Sequence, residues 1–233
     1  MPLEALLIIF QFVVLIAAFA VHECAHAWAA WRLGDPTAYM LGRVTLNPLK
    51  HIDPLGSVIF PIISLVYGGL LFGWAKPCPV TTRNFKHVRR DDILTTIAGP
   101  VSNLISAAVA LILLLILKHA IPGGEVSVAG AMYIAKGYKD VATDTLPQLF
   151  PIALLLYYGI VINLLLFVFN LLPVPPLDGS RILRYFLPYN VEKIYDNLGW
   201  FGLIFIMFIG GPFIIRIVYL PLRGIFDTVL ASL

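Results

Sequence analysis

The chain has 233 residues, of which 60% are hydrophobic and 12% charged, and its formal net charge is +3. Soluble domains run about 45–50% apolar and about 25% charged. A fold of this size could not hide so much apolar side chain from water, so the sequence reads as an integral membrane protein whose solvent is the lipid bilayer. A charge this small implies no nucleic-acid partner, and two cysteines, Cys24 and Cys78, make no disulfide framework.

No polar linker or second compositional regime interrupts the chain, which predicts a single polytopic domain over residues 1–233. The opening MPLEALL lacks the basic segment of a signal peptide, and the apolar run behind it ends in histidines, so no cleaved leader is expected. Five stretches are long and uncharged: Ala5–Val21, running on to Trp31; Leu55–Ala75; Ile93–Leu117; Thr145–Leu177; and Asn197–Ile215. A crossing helix takes about 20 mostly apolar residues, so the expected fold is an all-α membrane bundle of about 4–6 transmembrane helices.

Lys and Arg in short loops mark the cytoplasmic side. Arg32, Arg43 and Lys50 follow the first stretch, and Lys76, Arg83, Lys86, Arg89 and Arg90 follow the second. Both ends of Leu55–Ala75 thus carry the same signal. A segment that does not cross resolves this: a re-entrant element or β-hairpin near residues 40–82, which Pro61 and Gly68–Gly69 would suit. The first helix then runs inward, Ile93–Leu117 runs outward, 118–147 form an outer loop, and the fourth stretch runs inward to Pro173–Asp178. The inner ends of the first and fourth stretches share one depth. Gly210–Gly211–Pro212 breaks the last stretch, whose number of crossings stays open.

The first stretch carries HECAH at residues 22–26. Residues four apart on a helix share a face, so His22 and His26 can offer ring nitrogens to one metal ion. Glu23 is displaced about 100° around the axis, suited to act as general base on the metal's water rather than as a ligand. The bland alternative, histidines capping a helix at the interface with Glu23 neutralising them, fits poorly with the cost of ionisable groups inside a membrane helix. Cys24 points away from the histidine face and reads as a packing residue.

A catalytic zinc site takes a third protein ligand and keeps an open position. Candidates on the inner side are Asp35, His51, Asp53, Asp91, Asp92 and Asp178. Asp178 has the strongest context, in NLLPVPPLDGSRIL: Pro173, Pro175 and Pro176 break the long helix and Gly179 permits an unusual backbone, presenting a carboxylate at the membrane face. Its alternative role is to cap the next helix. His51 and Asp53, in NPLKHIDPLG, are the runners-up. A proton or ion pathway is a competing function, but it needs polar residues across the bilayer, and Ile93–Leu117 and Ala153–Phe169 offer almost none beyond asparagines and serines near one end.

HECAH in an apolar helix, AGPVSN (98–103) opening another and NLLPVPPLDG (170–179) ending a third resemble the site-2 protease family of intramembrane zinc metalloproteases. GRVTLNPLKHIDPLG and GWAKPCPV further resemble its small bacterial and archaeal branch without PDZ-like domains. The resemblance implies that His22, His26 and Asp178 hold zinc (Zn2+), that Glu23 activates water, and that Asn170, with Pro173 and Pro175 of the same motif, serves the substrate strand. It also implies substrates that are transmembrane segments of membrane proteins, a prokaryotic cell membrane as the location, and an active site toward the cytoplasm. Cutting a helix requires unwinding it, and GWAKPCPVTT (73–82) is a candidate edge on which a peptide could add as a strand. Asn103 is expected to tie helices together, with Ala98, Gly99, Ser102 and Ser106 allowing close packing. Oligomeric state has no signal in the sequence.

Overall fold

Thirty residues without an internal proline or glycine form the first helix, α1 (Leu3–Arg32). The computed structural model describes residues 3–66, 73–138, 146–188 and 211–232, with isolated positions between 190 and 202. After α1 come a short α2 (Thr37–Met40), a π turn (Pro54–Ile59) leading into α3 (Phe60–Val66), then α4 (Val88–Ala120), α5 (Gly124–Ala135), α6 (Phe150–Asn170) and α7 (Asp178–Arg184). At the end of the chain α8 (Gly211–Ile214) passes through a π turn (Ile215–Tyr219) into α9 (Leu220–Ser232). There is no strand among the described residues, so the all-α expectation holds and the β-hairpin alternative finds no support there.

α1, α4 and α6 are 30, 33 and 21 residues long and apolar enough to cross a membrane. At about 1.5 Å per residue even the shortest spans roughly 30 Å, the hydrocarbon thickness of a bilayer. Their mutual direction follows from their contacts. His22 meets Asn103 and His26 meets Thr95, so α4 runs antiparallel to α1. Gln11 donates to Tyr158 in the first halves of α1 and α6, and His22 and His26, further along α1, meet Asp178 just past the end of α6, so these two run parallel. Up, down, up is the order the loop charges predict, and it brings the ends of α1 and α6 to the same level.

The core lies where the three helices meet. Leu15 and Phe19 of α1, Ala107, Ala110 and Leu114 of α4, and Leu154, Tyr157, Ile160 and Leu164 of α6 are buried together. Val101, Ile105, Val109, Ile112 and Ile116 form an exposed apolar stripe along the other side of α4. They recur every three to four residues, and in lipid such a stripe is the bilayer-facing surface.

Two regions differ from or sharpen the sequence expectation. Residues 118–147 contain α5, whose Val128, Ala131 and Ile134 are buried against the core. The sequence reading as a plain outer loop followed from the glycines and the absence of a long apolar run. A 12-residue helix that borrows its burial from α6 needs neither. The second region is Leu55–Ala75. Trp74 N–H donates to Gly56 O at 3.1 Å and Lys76 N–H to His51 O at 2.8 Å, so the chain leaves and returns at one place. A segment whose two ends are hydrogen-bonded together cannot cross a bilayer, in keeping with the re-entrant expectation. Positions 67–72 of it, and 203–210 of the last apolar stretch, lie outside the described residues.

Buried polar side chains lock the loops that follow α1. Asp35 accepts from Thr81 N at 2.7 Å, Asn84 Nδ2 at 2.8 Å, and the main-chain N–H and hydroxyl of Thr37. Burial opposes its ionisation, but these donors outweigh that and hold its carboxyl below the usual range. Arg43, also buried, donates to the carbonyls of Lys50, Lys76 and Pro77. It thereby fastens the irregular residues 76–77 to the turn before α3.

Candidate metal centre

His22 and His26 stand one turn apart on α1, and their Nε2 atoms are 3.0 Å apart. Asp178 Oδ2 lies 3.2 Å from the first and 3.3 Å from the second. The protonation of this triangle can be deduced from its surroundings. His26 Nδ1 meets Thr95 O at 2.8 Å, and a main-chain carbonyl can only accept, so that nitrogen carries the hydrogen. Asn103 Nδ2 donates to Asn163 Oδ1 at 2.9 Å, so Asn103 turns its oxygen to His22 Nδ1, 2.6 Å away, which must donate. In neutral imidazoles both Nε2 atoms are then bare lone pairs, aimed at a carboxylate oxygen that is itself buried and without a hydrogen-bond partner.

Three acceptors within 3.3 Å, with no hydrogen between them, repel unless a cation joins them. Zinc with ligands at about 2.0–2.1 Å in tetrahedral array spaces its ligand atoms about 3.3 Å apart. The donor set of two imidazoles and a carboxylate is one that zinc takes, and the outer nitrogens are fixed as metal-bound histidines generally are. The residues therefore fit the metal that the sequence implies. Glu23, the next residue, stays outside the triangle, with its Oε2 buried and without a hydrogen-bond partner.

The sequence around Asp178 builds its position. α6 ends at Asn170, and the residues that follow have three prolines that cannot donate. The chain turns tightly through Val174 N–H to Leu172 O at 2.8 Å and Leu177 N–H to Val174 O at 2.9 Å, with the Pro175–Pro176 peptide cis. At Gly179 a Cβ would overlap the carbonyls of Leu171 and Leu172, so only glycine lets the start of α7 sit on the end of α6. One turn further, Arg181 and Tyr185 donate to the carboxylate of Asp92 at 2.7 and 2.9 Å. That pair fixes α7 to the first turns of α4.

The family model described as peptidase family M50 matches residues 10–210. The chain belongs to this family. M50 is the site-2 protease family, and membership makes the chain a metalloprotease with zinc as its metal. Among its relatives is YwhC of Bacillus subtilis, named as a candidate zinc metalloprotease, 43% identical over 192 residues that cover 82% of this chain and 75% of YwhC. Rip2 of Mycolicibacterium smegmatis, similarly named, is 29% identical over 171 residues, 72% of this chain and 54% of that protein. Rip2 of Mycobacterium tuberculosis is 29% identical over 84% of this chain and 66% of its own length. No solved structure matches the chain.

The other acidic and histidine candidates of this M50 peptidase make hydrogen bonds within the protein and stand outside the cluster of His22, His26 and Asp178, although His51 keeps a buried Nδ1 without a partner. Asp53 caps the π turn, accepting from Leu55 N and Gly56 N at 3.0 and 2.8 Å. Asp91 accepts from His87 N at 2.9 Å, and His51 Nε2 donates to Thr45 O at 2.8 Å. Burial pushes the Cys78 thiol up to about 12, far from the thiolate a metal would need. Asn170 donates from Nδ2 to Leu166 O at 3.0 Å; Pro173 is exposed, whereas Pro175 is buried. Asn103 does tie helices together, and it also reaches the metal centre.

Gly99 of the M50 chain explains why α4 can come so close. A Cβ there would overlap the rings of both His22 and His26. Gly99→Ala is expected to displace those rings and weaken zinc binding by about tenfold or more, the range seen when histidine ligands lose their orientation. A zinc dissociation constant for the purified variant checks this, and wild-type affinity would mean that the rings have room to move. The sequence reading places neither Thr95 nor Asn163 at the site, and it offers Asp92 as a ligand rather than as the partner of Arg181 and Tyr185. For Asn163 the signal existed, since an amide inside an apolar span needs a partner.

Proposed function

We propose that this M50 metalloprotease is an intramembrane endopeptidase that hydrolyses peptide bonds in transmembrane segments of membrane proteins, with Glu23 as general base and His22, His26 and Asp178 as the zinc ligands. The observation that carries the reading is a hydrolytic residue set inside a membrane-length helix. His26 is six residues from the end of α1, about 9 Å at the usual helical rise. Bound there, zinc would supply Lewis acidity to activate water and polarise the scissile carbonyl. Glu23 would take a proton from the attacking water and return it to the departing amine as the C–N bond breaks.

The Lys and Arg of the loops that bear Arg43, Lys76 and Arg83 support a site on the cytoplasmic side by the charge rule, and the bacterial relatives support a prokaryotic cell membrane. The substrate would lie along residues 73–80 as an added strand. Trp74 and Lys76 spend their main-chain N–H and C=O groups on Gly56, Ser57, His51 and Arg43. Backbone of a strand alternates sides, which would leave the main-chain groups of Ala75 for the added peptide, and Asn170 Oδ1 is a further acceptor that could hold it.

The test is a reporter carrying a transmembrane segment, incubated with the purified chain in liposomes. Cleavage is expected from protein holding about one zinc, to stop on chelation and to return on adding zinc. Cleavage indifferent to chelation would remove the metal from the mechanism. Zinc-loaded protein that cuts soluble peptides but no membrane reporter would remove the membrane substrate.

A further inference from the structure

Asn163 lies in mid-α6, 5% exposed, and is hydrogen-bonded to none of His22, Glu23, His26 and Asp178. Its amide nitrogen donates to Gly159 O at 2.8 Å, its oxygen accepts from Asn103 Nδ2 at 2.9 Å, and Asn103 Oδ1 accepts from His22 Nδ1 at 2.6 Å. Asn103 itself is fully buried. We infer that Asn163 is a positioning residue that sets the metal-binding tautomer of His22, acting across two helices through Asn103; this rests on the zinc reading of His22.

The direction of the chain of hydrogen bonds is forced from its far end. Gly159 offers a main-chain carbonyl, which cannot donate, so Asn163 must turn its nitrogen inward along α6 and its oxygen outward. Asn103 must answer with its nitrogen, and is left with only an oxygen for His22. A hydrogen on Nδ1 of neutral imidazole empties Nε2 for the metal. The Asn163–Asn103 and Asn103–His22 links are buried and the Asn163–Gly159 link is partly so; there an unmade hydrogen bond costs more than in water, so the two amides have no cheap alternative orientation.

Without Asn163 that constraint ends. Asn103 can rotate its amide and present nitrogen to His22 Nδ1, which then becomes the acceptor. The hydrogen moves to Nε2, where it faces His26 Nε2 and Asp178 Oδ2. His22 would donate a hydrogen bond to Asp178 and cease to be a ligand. The same residues would satisfy one another with no metal present, so loss of a remote amide turns a metal site into a closed polar cluster.

The experiment measures the zinc dissociation constant of the full chain in detergent, by competition with a chromophoric chelator. Asn163→Leu is expected to weaken binding about 10–100-fold, the usual cost of losing an outer partner of a histidine ligand. Asn163→Ser guards against misfolding. Its hydroxyl can donate to Gly159 O, as Ser106, Ser127 and Thr228 do to their own i−4 carbonyls, but it is too short to engage Asn103, and the same loss is expected. Asn103→Asp separates orientation from packing. Both carboxylate oxygens accept, so His22 Nδ1 keeps its acceptor whatever stands at 163, and adding Asn163→Leu to Asn103→Asp should weaken binding no further. Wild-type affinity in Asn163→Leu and Asn163→Ser would overturn the inference. So would an equal loss from Asn163→Leu in both backgrounds, which would make Asn163 a packing residue. A wild type that binds no zinc would overturn the zinc reading itself, an outcome distinct from either.

Discussion

Glu23→Gln is expected to keep about one zinc per chain and to lose cleavage by at least about 10²–10⁴-fold, the contribution of a well-placed general base. The two halves of this result have separate causes. Zinc stays because Glu23 is not one of the three atoms that converge, which belong to His22, His26 and Asp178. Activity goes because glutamine has the shape of glutamate and its polarity but cannot take a proton from water. The orphaned Oε2 sharpens the point: a buried carboxylate oxygen with no protein donor is costly to maintain, and water on its way to attack is the donor it suits. Metal analysis and a cleavage assay on the same preparation check both halves. Equal activity in the variant would remove Glu23 from the mechanism, whereas loss of zinc would make it part of the metal's hold.

Asp178→Ala is expected to remove the metal. Two histidines one turn apart are an incomplete site, and zinc ordinarily requires three protein ligands with an open fourth position. The variant should fold, because α7 keeps its other attachments: Arg181 and Tyr185 still hold Asp92, and Gly179 still rests on the end of α6. Thermal unfolding with and without added zinc distinguishes metal loss from misfolding. The wild type should gain stability with free zinc, by about 2.7 kcal/mol at one hundred times its dissociation constant. The variant should unfold near the temperature of the zinc-free wild type and gain almost nothing. A full response to zinc in Asp178→Ala would assign the third ligand elsewhere.

The candidate metal centre is legible because the residues that converge there sit on short-range patterns. HECAH needs only helical geometry to pair His22 with His26, and the prolines before Asp178 end a helix wherever they occur. Loop charges gave the mutual direction of α1, α4 and α6, since the basic residues gather in the loops between the first and third stretches. What the sequence hid was long-range. Asp92 reads in the sequence as a candidate ligand, yet it is the anchor of α7, a role visible only when Arg181 is brought to it from 89 residues away. Gly99 reads as one small residue among several in AGPVSN, and its closeness to both histidine rings depends on how α4 crosses α1. α5 went unseen because its apolar face is short and gains its burial from a partner helix.

Asp92, Thr95, Gly99 and Asn103 all belong to α4, and together they meet both histidines and the helix that begins with Asp178. On the proposed ligand set, the first two ligands are made early in synthesis and the third 152 residues after His26. Contacts of such sequence separation form late, because the intervening chain must close first. A nascent chain with only α1 in the bilayer would carry HECAH as an idle motif, unable to retain zinc. Metal uptake would then record that α6 has been inserted and docked, and a membrane filling with half-made copies would hold no half-active peptidase.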